Sequence, residues 1–483
     1  MQEKSVRYNL IYMLSSGLFI KILALVYKIF LTRSLGLTGM GLYSIMIPSV
    51  MLFLGLADFS LPQTITKLVS ENKSVKESNR SLIIKSIYIG LLFDLILILI
   101  LLIFMNLINK SLNYDFRLPF YALMILLPFV SINAIIKGYF QGINRGDLGA
   151  KANIIEQLTR ITSSIIFINL LINLNIDYAL ASIIISMAIG ELFSFLFSLF
   201  KLRNYSFKPV LEKNGEGMKI ISLSLPSTIN RFIFTISNFF EPIILTKALN
   251  KLGYLDTEIR NSFGLVQGYA IPLLTIMGFA SMAITQSLMP KLAQNFKTNS
   301  PSKFQSTLKK GLDLTFIIGF LSSLLLFFYP NLTSSLIYND NSSSFFIKLM
   351  APFFILYYLE PLLHTAILVI NKSNLSLLIN IFICLGKLIL IYFLSSKIGI
   401  DGFVLAIIIS IILTLLSYYL ILKIKVHINI NIIKPLFFIL INTFFSFLIT
   451  KDESIIMMAI TLSFFLLTLF LFYGRTLKGI NID

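Results

Sequence analysis

The residues of this chain that could do chemistry are the charges set inside long apolar runs. The first such run, 10–32, carries Lys21 near its middle. Gly17, Lys21, Ala24 and Lys28 follow a 4-3-4 spacing, which places them on one face of a helix. An ammonium at the centre of a membrane helix costs about 2.5–3.5 kcal/mol even on lenient insertion scales, so it implies a carboxylate partner or an anionic ligand. A second stripe joins Ser227, Arg231, Asn238 and Glu241 between Pro226 and Pro242. Arg231 and Glu241 are too far apart to pair along one helix, so Arg231 needs a partner on another segment or a ligand. Lys21, Lys28 and Arg231 are therefore the candidate cationic wall for an anionic substrate. Snorkelling towards the interface is the structural alternative for Lys28.

The acids are fewer and more ambiguous. Glu156 and Arg160 stand four residues apart in the order that favours an ion pair along a helix. Asp58 and Glu191 are isolated acids in apolar surroundings, open either to coupling-ion or proton binding or to pairing with Lys21 or Arg160. Glu241 belongs to the same candidate group. Glu360 and His364, four apart beside Pro361, allow a proton relay or a local hydrogen bond. No metal site is expected, because Cys384, His364 and His427 stand apart and form no ligand motif. There is no phosphate-binding GxxxxGK[ST] loop, dinucleotide turn or HExxH, so no cofactor and no ATP-driven step are expected.

The elements that must position these groups are membrane helices. Of 483 residues 57% are hydrophobic and 13% charged, against about 45–50% and 25% in soluble chains. Fourteen windows reach about 20 residues, the length of a span: 10–32, 42–66, 82–108, 118–140, 152–173, 178–200, 220–246, 262–289, 312–332, 346–369, 375–396, 402–422, 434–450 and 454–473. The first is too long, and too charged at Lys21, for a cleaved signal. The net charge of +18 is spread over short loops, which argues against nucleic acid. With the N-terminus inside, alternate loops hold roughly 26 basic residues on the cytoplasmic side and roughly 9 outside, and the C-terminus is then inside as well.

An internal repeat organises the spans. Ile47-Pro48 recurs as Ile271-Pro272, Lys67-Leu68 as Lys291-Leu292, and Lys73 as Lys297. Further along, Asn144-Arg145 recurs as Asn371-Lys372, Ile176-Asp177 as Ile400-Asp401, and Arg160 as Lys387. The segment FLTRSL at 30–35 matches ILTKAL at 244–249, which aligns Lys21 with Thr235. Six helices per repeat is an even number, so both copies face the same way. The expected fold class is an all-α integral membrane protein of about fourteen helices. Two parallel six-helix lobes, 1–213 and 214–428, are followed by two extra helices in 429–483.

The run GMGLYSIMIPSVMLFLGLADFSLPQTITKLVSENK (39–73), with KGYFQGINR (137–145) and IIEQLTR (154–160), resembles the stage V sporulation protein B family. That family belongs to the polysaccharide-exporter branch of the MOP superfamily, whose other members include MATE exporters and lipid II flippases of the MurJ type. The chain departs from the family's usual pattern at Ser60-Leu61-Pro62 and at Gly146–Ala150. The resemblance implies MATE-like lobes with alternating access in the bacterial cytoplasmic membrane. It also implies a polyprenyl-pyrophosphate-linked saccharide as substrate, membrane lipids and cell-wall synthesis machinery as partners, and a lipid-tail groove built by the two extra helices. Three other functions compete with it. A cation-coupled multidrug exporter would favour an acidic cavity, a membrane glycosyltransferase would need a large polar outer loop, and a wall-assembly scaffold would need no transport site at all.

Overall fold

An apolar segment in a bilayer has to satisfy its own backbone, and each of the fourteen windows falls mostly on described helix. The structure, a computed structural model, describes residues 6–71, 79–203, 216–426, 433–450 and 453–478. Lys73 and His427 lie outside them. No strand occurs among the described residues.

The helices are, in order, α1 (Val6–Ala57), α2 (Leu61–Glu71), α3 (Asn79–Leu112), α4 (Arg117–Gly142), α5 (Gly146–Leu171), α6 (Ile176–Leu202) and α7 (Glu216–Asn250). Then come α8 (Asp256–Phe263), a π-helical turn (Gly264–Ala270), α9 (Ile271–Leu274), α10 (Gly278–Lys297), α11 (Pro301–Phe328) and α12 (Pro330–Tyr338). The last are α13 (Ser344–Val369), α14 (Ser373–Ile398), α15 (Ile400–Val426), α16 (Ile433–Ile449) and α17 (Ile455–Lys478). Among the described residues eleven helices are long and apolar enough to cross a membrane, or twelve if the pair Asp256–Leu274 and Gly278–Lys297, bent by 49°, counts as one span. This is a multi-pass membrane protein.

Two expected spans take a different form. The windows 10–32 and 42–66 share the continuous α1, broken in direction at Gly36, whose φ of 63° favours a residue without a Cβ. The second window does not stay helical to its end. It unwinds at Asp58, Phe59 and Ser60, with the last two at φ 43° and 49°, before α2 begins. Asp58 drives the break, because its Oδ1 accepts the Ser60 N–H at 3.0 Å in place of a helical carbonyl.

By its contacts the chain divides into two compact units, one of 1–246 with 255–261, the other of 247–254 with 262–483. Helix α7 thus packs mostly in the first unit, although the sequence repeat puts it at the head of the second copy. Packing follows contacts, whereas the repeat reflects kinship between segments. The kinship is visible locally. Asn144 (φ 58°) ends α4 and Asn371 (φ 57°) ends α13, and the next N–H reaches back to Phe140 O in the first turn and to Ile367 O in the second.

In the first unit Leu61, Ile65, Leu68, Ile135, Ile136 and Phe140 form a core joining α2 to α4. A Cβ at Gly138 would sit 2.6 Å from the Pro62 carbonyl oxygen, so glycine permits this close approach. In the second unit α16 and α17 pack on α11 through Phe320, Phe438, Phe465 and Tyr473. Tyr329 and Thr461 hydroxyls meet at 2.5 Å along the same seam. Glu453, between α16 and α17, accepts from the Leu332 N–H (2.8 Å) and from Asn331 (2.7 Å), which caps the start of α12.

Candidate functional site

The unwound step at 58–60 exposes backbone groups in apolar surroundings, and side chains from α4 and α7 take them up. Ser131 of α4 donates to the Ala57 carbonyl at 2.7 Å. Arg231 of α7 reaches the Gly55 carbonyl at 3.4 Å and both Asp58 carboxylate oxygens at 2.5 Å. Thr228 donates to Ser60 (3.3 Å) and Ser224 to Thr64 (2.9 Å), so one face of α7 is stitched along the broken helix. Arg231 and Asp58 side chains keep 30% and 22% of their exposure, enough for the pair to meet a ligand or water. Arg231 thus has the off-helix partner that its spacing from Glu241 required. Asp58 is engaged by Arg231 rather than by Lys21 or Arg160.

A second charged cluster joins α4, α5 and α6. Lys137 Nζ lies 2.7 Å from Glu156 and 3.8 Å from Glu191. Asn133, one turn earlier on α4, donates to Glu191 at 2.5 Å and to Ser194 at 2.7 Å. The pairing along α5 expected between Glu156 and Arg160 does not form: Glu156 pairs across to α4, and Arg160 hydrogen-bonds Gln157. Glu191 likewise faces Lys137, with the charge of Arg160 also acting on it. The helices come close enough because a Cβ at Gly190 of α6 would lie 2.8 Å from the Glu156 carbonyl oxygen.

The stripe on α1 sits near this cluster. A cleft of about 140 Å³ is lined by Ser16, Gly17, Ile20, Lys137, Gln141 and Asn153. Lys21 and Ala24 are exposed, while Lys28 is half-buried with its ammonium 4.8 Å from the centre of the Tyr43 ring. That contact is a cation–π interaction, so Lys28 does more than snorkel. Tyr27, beside it, bonds Ser164 of α5 at 2.6 Å. Of the other candidates, Glu241 is buried at 3% exposure within α7. The side chain of Ser227 lies outside those described. Glu360 and His364 make no hydrogen bond to each other; the imidazole instead lies 5.5 Å from the Tyr418 ring. Among the described residues no group of three or more His, Cys, Asp or Glu could hold a metal ion.

Three residues of consequence were not singled out by spacing. Lys137 and Asn133 stand four apart on α4, a readable pattern overlooked because Lys137 served only as part of a motif. Asp94, 1% exposed in α3, is a charge in an apolar window and meets the same criterion as Lys21.

At the end of the first unit near the α3–α4 turn, Tyr114 donates to Asp177 at 2.5 Å, and Arg260 lies 5.3 Å from its ring. Burial first, then the hydrogen bond to Asp177 and that residue's charge, push the phenol above its ordinary range.

Comparison with known proteins places these features in a lineage. Stage V sporulation protein B of Bacillus subtilis (strain 168) is 27% identical over 422 residues, covering 84% of this chain and 81% of the relative. Sporulation protein YkvU of the same organism is 22% identical over 349 residues, covering 70% and 77%. The fold is similar to that of the lipid II flippase MurJ in an inward closed conformation, with TM-score 0.74 at 16% identity over 97% of this chain and 100% of that one. It is also similar to an inward-facing MATE multidrug transporter of the MOP superfamily, with TM-score 0.66 at 15% identity over 84% and 94%. Residues 6–296 match the polysaccharide biosynthesis protein family, and the chain belongs to that family.

Proposed function

We propose that this protein is a flippase that carries a polyprenyl-pyrophosphate-linked saccharide across the bacterial cytoplasmic membrane by alternating access, for cell-wall, spore-cortex or polysaccharide synthesis. The observation that carries this reading is membership of the polysaccharide biosynthesis family across residues 6–296. Fourteen spans with both termini inside, arranged as repeats 1–213 and 214–428 with a two-helix extension 429–483, fit the loop-charge asymmetry. No covalent chemistry is assigned to the chain.

In this proposal Lys21 and Lys28 contact the pyrophosphate, and Arg231 exchanges between Asp58 and the anion. Cations lower the cost of moving phosphate charge out of water, and they drive transport only if they bind differently in the two access states. Outward movement of an anionic head is helped by an inside-negative potential, about 2.3 kcal/mol per charge per 100 mV. The Lys137–Glu156–Glu191 cluster, with Arg160 beside it, is the proposed place for charge pairing or ion coupling in the first unit. Lipid-linked precursor translocation in reconstituted vesicles tests the reading. Lys21→Ala and Lys28→Ala are each expected to lose about tenfold, the value of one charge-assisted contact of roughly 1.4 kcal/mol. Full activity in the double variant overturns the cationic contact, and transport of cationic dyes without any response to lipid-linked glycans points to a drug exporter instead.

A further inference from the structure

Asp94 is a fully buried carboxyl of the first unit that the proposed transport chemistry does not use. It sits in α3 at 1% exposure, and neither of its oxygens has a hydrogen-bond partner. An ionised carboxylate in such a place would be among the costliest groups a protein can bury, unless paired or neutralised. Among the described residues the surroundings offer no pairing. From α1 the charged group that faces it is the Asp58 carboxylate, of its own sign. Arg231 of α7 is taken up by Asp58, spanning both of its oxygens. From α4 it faces Ser131, whose single proton goes to the Ala57 carbonyl at 2.7 Å, so that hydroxyl can accept from Asp94 but not donate to it. On α2 the basic residue is Lys67, which is exposed. On α3 itself the flanking cations are Lys85 and Lys110, roughly 13 Å and 24 Å away along the axis.

We infer that Asp94 is a proton-binding site, occupied in this conformation, that reports on the broken step at 58–60. A proton on Asp94 makes the carboxyl a donor, and the Ser131 oxygen is the acceptor it faces. The chain Asp94 to Ser131 to Ala57 O then ends at the carbonyl freed by the break, with each donor matched to an acceptor. Loss of the proton sets a second carboxylate against Asp58 and takes the donor from the Ser131 oxygen, which disfavours this arrangement of the Asp58–Arg231 pair and the broken helix. Proton binding and the geometry of α1, α4 and α7 are thereby linked.

Infrared difference spectroscopy of the full-length protein in lipid tests this, with the C=O stretch of a protonated carboxylic acid as the probe. At neutral pH the wild type is expected to show such a band, one component of which is lost in Asp94→Asn and kept in Glu191→Gln. Asp94→Asn is expected to melt at the wild-type temperature, because the amide donates to Ser131 as the neutral acid does. Identical spectra from wild type and Asp94→Asn overturn the proposal. So does a wild-type band that appears only in acid, and so does a wild-type melting temperature that rises with added sodium or lithium chloride and does so no longer in Asp94→Asn, which makes the site one for a metal cation.

Discussion

The two compact units fasten their interiors with different polar chemistry. In the first, ionic fasteners stand beside the hydroxyl bonds: Arg231 on Asp58 across the broken helix, and Lys137 between Glu156 and Glu191. In the second, hydroxyls do the equivalent work. Tyr358 donates to the Leu274 carbonyl at 2.7 Å and receives from Ser322 at 3.1 Å, while Ser281 bonds the Tyr358 carbonyl at 2.5 Å. Tyr418 donates to Asn380 at 2.6 Å. A neutral hydrogen bond contributes about 0.5–1.5 kcal/mol and keeps its character in any dielectric. An ion pair depends on its partner's charge and on the water around it, so it can be exchanged for a ligand, a proton or another residue. The first unit holds groups suited to switching, and the second holds groups suited to staying put.

Breaking the ionic fastener gives the largest expected effect. Arg231→Ala strands Asp58 at the unwound step and is expected to cost about 3–5 kcal/mol, towards the lower end because both side chains keep some exposure. The paired change Asp58→Asn with Arg231→Gln removes both charges and is expected to recover most of that loss in thermal unfolding. Additive losses in this cycle would mean that the two residues do not work as a pair. Tyr358→Phe in the second unit removes one neutral hydroxyl and is expected to cost about 1 kcal/mol, with translocation near wild type. A loss as large as that of Arg231→Ala would abolish the contrast between the units.

Tyr114 offers the finest test, since it is a hydroxyl bound to a carboxylate. The folded protein holds its proton more tightly than the unfolded chain, in which a tyrosine ionises near pH 10. The stability tied to this proton is complete below about pH 10 and is lost as pH rises above that towards the folded-state value. Tyr114→Phe is expected to lose a fraction of a kcal/mol at neutral pH, where the hydrogen bond to Asp177 is intact in the wild type, and to flatten the alkaline limb of stability against pH.

The fold was legible because hydrophobic length is written directly in composition, and two turns that the sequence pairs, at Asn144 and Asn371, take the same form. Partners were less legible. The spacing of Arg231 from Glu241 required an off-helix partner, but no rule of period 3.6 connects residue 231 to residue 58. The Glu156–Arg160 spacing suggested a bond along α5, yet Glu156 turned to Lys137 because Gly190 lets α5 and α6 close on each other at that level. Sequence periodicity names the face on which a charge lies. Which charge stands opposite is decided by packing, and helix breaks such as the one at Asp58 reset that choice.

The seam that fastens α16 and α17 to α11 has a consequence for inheritance of the architecture. Phe438 meets Phe320, Phe465 and Tyr473 at ring separations of 5.3–5.5 Å, and Glu453 holds the first turn of α12. A shortened relative that lost these two helices would bare an aromatic strip and an uncapped helix start at once. The extension and the face of α11 beneath it therefore have to be gained, lost or redesigned together.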